Sequence, residues 1–167
     1  VGLENFGKYW VIKGSDFFNI NLASIKTISF VFEGSGTKTL NVGWGLFDST
    51  KELANDPAKG EADITLLPLL ANGERVSVGG FAKNDGSNGA ISNVSDTFAK
   101  LTYTGAKADS FGGAFFNYDL ADTANLVETI DFTQKFPNGM IFRIDSPNAT
   151  SVVLELTDIN DKKDTVK

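Results

Sequence analysis

Three charged side chains have types and spacing that could act together: Arg143, Asp145 and Glu155. Residues 140–145 alternate Met140, Phe142 and Ile144 against Ile141, Arg143 and Asp145. Residues 151–157 alternate Val152, Leu154 and Leu156 against Val153, Glu155 and Thr157. Successive side chains of an extended chain point to opposite faces, so the three charges leave on the side away from the apolar rows and can share one exposed sheet face. A guanidinium and carboxylates there would grip hydroxyl groups through charge-assisted hydrogen bonds. Tyr9 alternates with Trp10 and would add a flat ring for stacking on C–H groups if Trp10 is core. Residues 113–118 leave two choices open: Phe116 and Tyr118 face outwards, or Phe115 and Asn117 do. The plainer reading of Arg143, Asp145 and Glu155 is a solvated cross-strand charge group, since exposed charges are usually only surface.

Oxygen ligands also gather around a glycine-rich run, where Asp85, Asn88 and Asp96 could hold Ca²⁺. The run Asp158-Ile159-Asn160-Asp161 lacks the glycine and distal glutamate of an EF-hand loop and reads better as a hairpin turn. Histidine and cysteine are absent, which removes the commonest general base, the usual zinc ligands and all thiol chemistry. Acids are plentiful, but no pair marks itself as facing another across a cleft, as a glycosidase requires. No phosphate loop, nucleophile elbow or metalloprotease motif occurs. The expectation is a chain that binds and does not catalyse.

The elements that must position these residues are strands. Period-2 alternation dominates: Ile28, Phe30 and Phe32 against Thr27, Ser29 and Val31, then Leu40, Val42, Trp44 and Leu46 against Asn41, Gly43 and Gly45. Further strands are expected at 9–12, 99–104, 113–118 and 126–131. Turn signals punctuate them, among them Gly34-Ser35-Gly36, Asp85-Gly86-Ser87-Asn88-Gly89 and Pro137-Asn138-Gly139. The only helical pattern, at 49–55, is short and runs into Pro57. Many short alternating strands in 167 residues predict one all-β domain, a two-sheet antiparallel jelly-roll sandwich.

The net charge of −6 includes only two arginines, Arg75 and Arg143, and lysines spread along the chain. Nucleic acid and anionic membrane surfaces both need clustered positive charge, so neither is an expected partner. No apolar run approaches the ~20 residues of a membrane span.

Two stretches carry a family likeness. They are Tyr9-Trp10-Val11-Ile12-Lys13-Gly14-Ser15-Asp16-Phe17 and Ile20-Asn21-Leu22-Ala23-Ser24-Ile25-Lys26-Thr27-Ile28-Ser29-Phe30. They resemble the late strands of galactose-binding-like jelly rolls, the β-glucan-binding carbohydrate-binding modules among them. Gly112-Gly113-Ala114-Phe115-Phe116, Phe136-Pro137-Asn138-Gly139-Met140 and Val152-Val153-Leu154-Glu155-Leu156 resemble the earlier strands. The likeness covers roughly two-thirds of the chain, in the reverse order of halves. It implies a circular permutant or one frame of a tandem array, with residues 49–80 as the connector between the usual termini. It also implies a secreted or cell-surface module that lays a neutral polysaccharide across its concave sheet, on Tyr9, Tyr118, Asn117, Arg143, Asp145 and Glu155. Calcium commonly supports that family's fold, but Asn41-Val42-Gly43-Trp44-Gly45 stands where its acidic pair would be. The alternative from another class is a structural or adhesin repeat that contacts neighbouring copies through its sheet edges.

Overall fold

The structure is a computed structural model and describes residues 4–6, 9–46, 77–92, 98–119, 128–135, 140–145 and 151–167. Its strands are β1 (Glu4–Phe6), β2 (Tyr9–Ile12), β3 (Ile25–Glu33), β4 (Gly36–Leu46), β5 (Ser77–Ala82) and β6 (Asn88–Ser92). They continue with β7 (Phe98–Gly105), β8 (Phe111–Asn117), β9 (Met140–Asp145), β10 (Val153–Asp158) and β11 (Lys163–Val166). One sheet runs β1-β2-β9-β4-β7-β6 and the other β11-β10-β3-β8-β5, and every pairing is antiparallel. Consecutive strands pass between the sheets as β3/β4, β5/β6, β7/β8 and β9/β10. As a result β4 lies between β9 and β7 just as β3 lies between β10 and β8. The result is an all-β, two-sheet antiparallel sandwich wound in jelly-roll fashion. The edge strands β1 and β11 flank the same side of it, in opposite sheets.

Alternation decides which side chains fill the space between the sheets. Ile28, Phe30 and Phe32 of β3 point inwards and meet Leu40 and Val42 of β4 and Leu101 and Tyr103 of β7. The Tyr103 ring stacks on Phe32 of the opposite sheet at 5.9 Å between centroids, and its hydroxyl donates to the Gly34 carbonyl at 2.9 Å. Phe30 meets Phe116 edge-on at 6.3 Å. Each such ring, removed from water, contributes roughly 1.5–3 kcal/mol before the cost of ordering it.

At one side the sheets close without a side-chain layer. A β-carbon on Gly80 of β5 would fall on the carbonyl of Gly89 in β6, and one on Gly89 would fall on the carbonyls of Phe81 and Gly113. Stacked sheets ordinarily stand about 10 Å apart. Here backbone rests on backbone, which only residues without a side chain permit.

At another corner two carboxylates of the β10–β11 hairpin hold the segment between β2 and β3. Asp158, 1% exposed, accepts the amides of Asn21 at 3.0 Å, Asn160 at 2.8 Å and Lys162 at 3.1 Å. The Asn21 amide leads in holding its carboxyl below the ordinary aspartate range, against burial, with the other two amides and the Lys162 charge adding to it. Asp164 accepts the amides of Phe18 at 2.7 Å and Asn19 at 3.1 Å. Burial pushes the Asp164 carboxyl up, but these amides and that of Thr165 outweigh it and leave it lowered.

The hairpin at 158–161 and the strands at 9–12, 99–104 and 113–117 form where alternation placed them. Two expectations change. The connector drawn at 49–80 ends in sheet, because residues 77–80 belong to β5; residues 49–76, and with them the helix expected at 49–55, lie outside the described residues. The strand expected at 126–131 reduces, in its described part, to one bridge between Ile130 and Ile25. A one-turn helix, α1 (Phe132–Lys135), follows it, because Asp131 caps the amides of Thr133 and Gln134 at 3.0 and 3.1 Å. Its Phe132 is core and meets Phe17 edge-on.

Candidate functional site

The charged residues expected on one face are divided between the sheets. Arg143 and Asp145 belong to β9 and Glu155 to β10, in opposite sheets, so their outward sides face away from each other. Alternation gives a residue's side of its own strand but not which sheet the strand joins. Backbone register does bring Tyr9 opposite Arg143, Arg143 opposite Gly43, and Asp145 opposite Asn41. The side chains of Tyr9, Arg143 and Asp145 lie outside the described residues. Glu155 receives the Lys163 ammonium at 2.8 Å, across a part-exposed pair of the kind worth at most about 1 kcal/mol.

The choice left open in residues 113–118 resolves towards Phe115 and Asn117. Tyr118 is 3% exposed and Phe116 is fully buried, so Tyr118 belongs to the core and cannot stack on a ligand. Asn117 keeps an outward position opposite Thr27 and Ser77. Its Oδ1 accepts from the Thr27 hydroxyl at 3.0 Å, and its Nδ2 donates to the Asp119 carbonyl at 2.8 Å. The amide plane is therefore fixed at the end of β8.

Of the expected Ca²⁺ ligands, Asp85 is taken up by protein donors. One Asp85 oxygen accepts the Ser87 hydroxyl at 2.5 Å and its amide at 3.1 Å, and the other accepts the Ser110 hydroxyl at 2.7 Å. The Ser87 and Ser110 hydroxyls are the leading reasons its carboxyl is lowered, and the Lys83 ammonium stands 4.0 Å away where it would repel a cation. Asp85 thus joins the 84–87 turn to the 106–110 turn. Asn88 is exposed in β6, opposite Thr104. Asp96 lies outside the described residues. Among those described, no group of three or more acidic side chains could hold a metal ion.

What the fold assembles instead is an aromatic track on the outer face of the sheet β11-β10-β3-β8-β5. Positions 111, 113 and 115 of β8 and 79 and 81 of β5 point to that face, opposite the buried set Phe116, Ala114 and Gly112. Phe115 stands opposite Gly79, and its ring lies over it: a β-carbon there would meet Cζ at 2.7 Å. Phe81 stands opposite Gly113, and Phe111, opposite Glu33, is 46% exposed. A large ring opposite a glycine can lie down on the sheet with its outer face to solvent. The other half of the face is charged: Lys163 pairs with Glu155 and Lys167 with Glu33 at 3.3 Å.

The sequence carries a trace of this track in Gly79-Gly80-Phe81 and Phe111-Gly112-Gly113-Ala114-Phe115, where phenylalanine and glycine recur two residues apart. That spacing becomes a surface only once the register sets Phe115 against Gly79 and Phe81 against Gly113. In comparison with known proteins, the chain matches no family model, no curated protein and no solved structure.

Proposed function

We propose that this chain is a non-catalytic carbohydrate-binding module that holds a neutral polysaccharide on the outer face of the β11-β10-β3-β8-β5 sheet. The observation that carries the reading is the Phe115 ring reaching over Gly79, with Phe81 and Phe111 continuing the same outward face. Flat, rigid rings suit the C–H faces of pyranoses, and the Asn117 amide beside them has a second N–H to offer a hydroxyl. Stacking on a few rings corresponds to micromolar to millimolar affinity, about −4 to −8 kcal/mol. Binding alone would anchor a larger secreted or surface protein to its polysaccharide.

The structural-repeat alternative has one feature in its favour, since β5 is an edge strand among those described and has no charged residue, and such edges invite strand addition. On its inner face Gly80 rests on the Gly89 carbonyl of β6 in the opposite sheet.

Affinity electrophoresis against β-glucans, xylans, mannans and pectins tests the reading. Retardation by a neutral polymer, lost in Phe115→Ala and kept in Phe18→Ala, supports it; Phe18 is 74% exposed and lies outside the track. Failure of every polymer to retard the chain overturns it.

A further inference from the structure

We infer that the glycan lies along β8, not across the sheet, as an extended, uncharged chain of equatorially linked pyranoses that touches Phe115, Phe81 and Phe111 in turn; this rests on the glycan reading above. Positions 111, 113 and 115 of β8 mark three successive outward rows, and Phe81 stands in the middle row, opposite Gly113. Rows two residues apart are roughly 6.6 Å apart along the strand, and neighbouring strands about 4.8 Å apart. The three rings therefore form a staggered rail about 13 Å long.

Across the sheet the described residues form no equivalent line. From Phe115 the row passes through Ser29 to Glu155 on one side and to Gly79 on the other. From Phe81 it passes through Gly113 and Val31 to Val153, and Phe111 is followed by Glu33. Each row holds one aromatic residue, so a ligand meets more than one ring only by running from row to row.

The ring type and the charges narrow the ligand. Phenylalanine has no polar handle, so each ring offers only its face, and each ligand unit must present a flank of C–H groups with its hydroxyls held in plane. Equatorially linked pyranoses do so unit after unit in a straight ribbon, whereas an axial linkage turns successive faces away. The lysines described on this face, Lys163 and Lys167, are bound to Glu155 and Glu33, and the whole chain carries −6. With those lysines already paired to carboxylates, a uronate polymer gains no net attraction there.

Calorimetric titration of the full chain with cello-, manno-, malto- and galacturono-oligosaccharides, from disaccharide to hexasaccharide, tests this. In one straight, neutral series, affinity should climb roughly three- to tenfold with each unit that reaches a new ring, then level off. Phe111→Ala, at the exposed end of the rail, should cost the longer oligosaccharides that same factor and leave the disaccharide unchanged. Preference for the malto- or galacturono-series, no gain beyond the disaccharide, or a Phe111→Ala that binds like wild type would overturn the rail while leaving glycan binding intact. No binding in any series overturns both. If Phe115→Ala fails to fold, Phe111→Ala and the length series still decide.

Discussion

The Cζ of Phe115 stands 2.7 Å from the place a β-carbon on Gly79 would occupy, so this ring and this glycine form one unit across β8 and β5. Gly79→Ala should therefore lift the ring off the sheet without disturbing the core beneath. The ring edge can swing, and Gly79 points to the outer face, so stability should change by less than about 1 kcal/mol. Glycan affinity should fall by roughly tenfold, as if one stacking contact were lost. Urea unfolding and titration on the same variant check the two halves separately; equal affinity in wild type and variant would count against the platform.

Gly89→Ala should behave in the opposite way. Its new carbon would meet the backbone carbonyls of Phe81 and Gly113, and neither can swing aside. The sheets would have to part at the β5/β6 side, at a cost of about 2–4 kcal/mol. A urea midpoint within error of wild type would show that this corner is not packed backbone on backbone.

Asp158 links the acid stability of the chain to its fold. Its carboxyl is lowered chiefly by the Asn21 amide, so the folded state binds the proton less readily than the unfolded one, whose aspartate value is about 3.9. The stabilisation is complete above that value and disappears as pH falls through the lower folded one. Asp164, held down by the amides of Phe18, Asn19 and Thr165 against burial, acts in the same direction. Thermal unfolding between pH 7 and pH 2 should show Tm falling only in the acid limb, and Asp158→Asn should flatten that limb while lowering Tm by several degrees at pH 7. An unchanged acid limb in the variant would remove Asp158 from this account.

Tyr103→Phe keeps the stacked ring on Phe32 and deletes only the hydroxyl that donates to the Gly34 carbonyl at 2.9 Å. The expected loss is about 0.5–1.5 kcal/mol, measured by urea denaturation with an unchanged m-value. Tyr103→Ala, which also empties the space between the sheets, should cost at least twice that.

Alternation placed the strands well where one face is core and the other polar, as in β3, whose Ile28, Phe30 and Phe32 are buried. It missed β6, where Asn88 and Gly89 read as loop although Gly89 is needed for the contact between sheets. It also placed Arg143, Asp145 and Glu155 on one face, because each lies opposite an apolar row in its own strand. Yet β9 pairs with β2 and β4, while β10 pairs with β3 and β11. Tyr118 was equally unreadable: the alternation of Phe115, Phe116, Asn117 and Tyr118 fits either side outwards until Phe116 is found against Phe30.

The sequence by itself determined that this is an all-β chain without cysteine or histidine, with turns near 34, 86 and 159 and a net charge of −6. These follow from residue type and nearest-neighbour spacing, which act locally. Only the tertiary structure decided that Phe115 rests on Gly79, that Asp158 reaches Asn21 and that Asp85 serves its own turns. Each of those joins residues at least two dozen positions apart, and strand register, which sets such contacts, comes from the packing of the whole core rather than from any one strand.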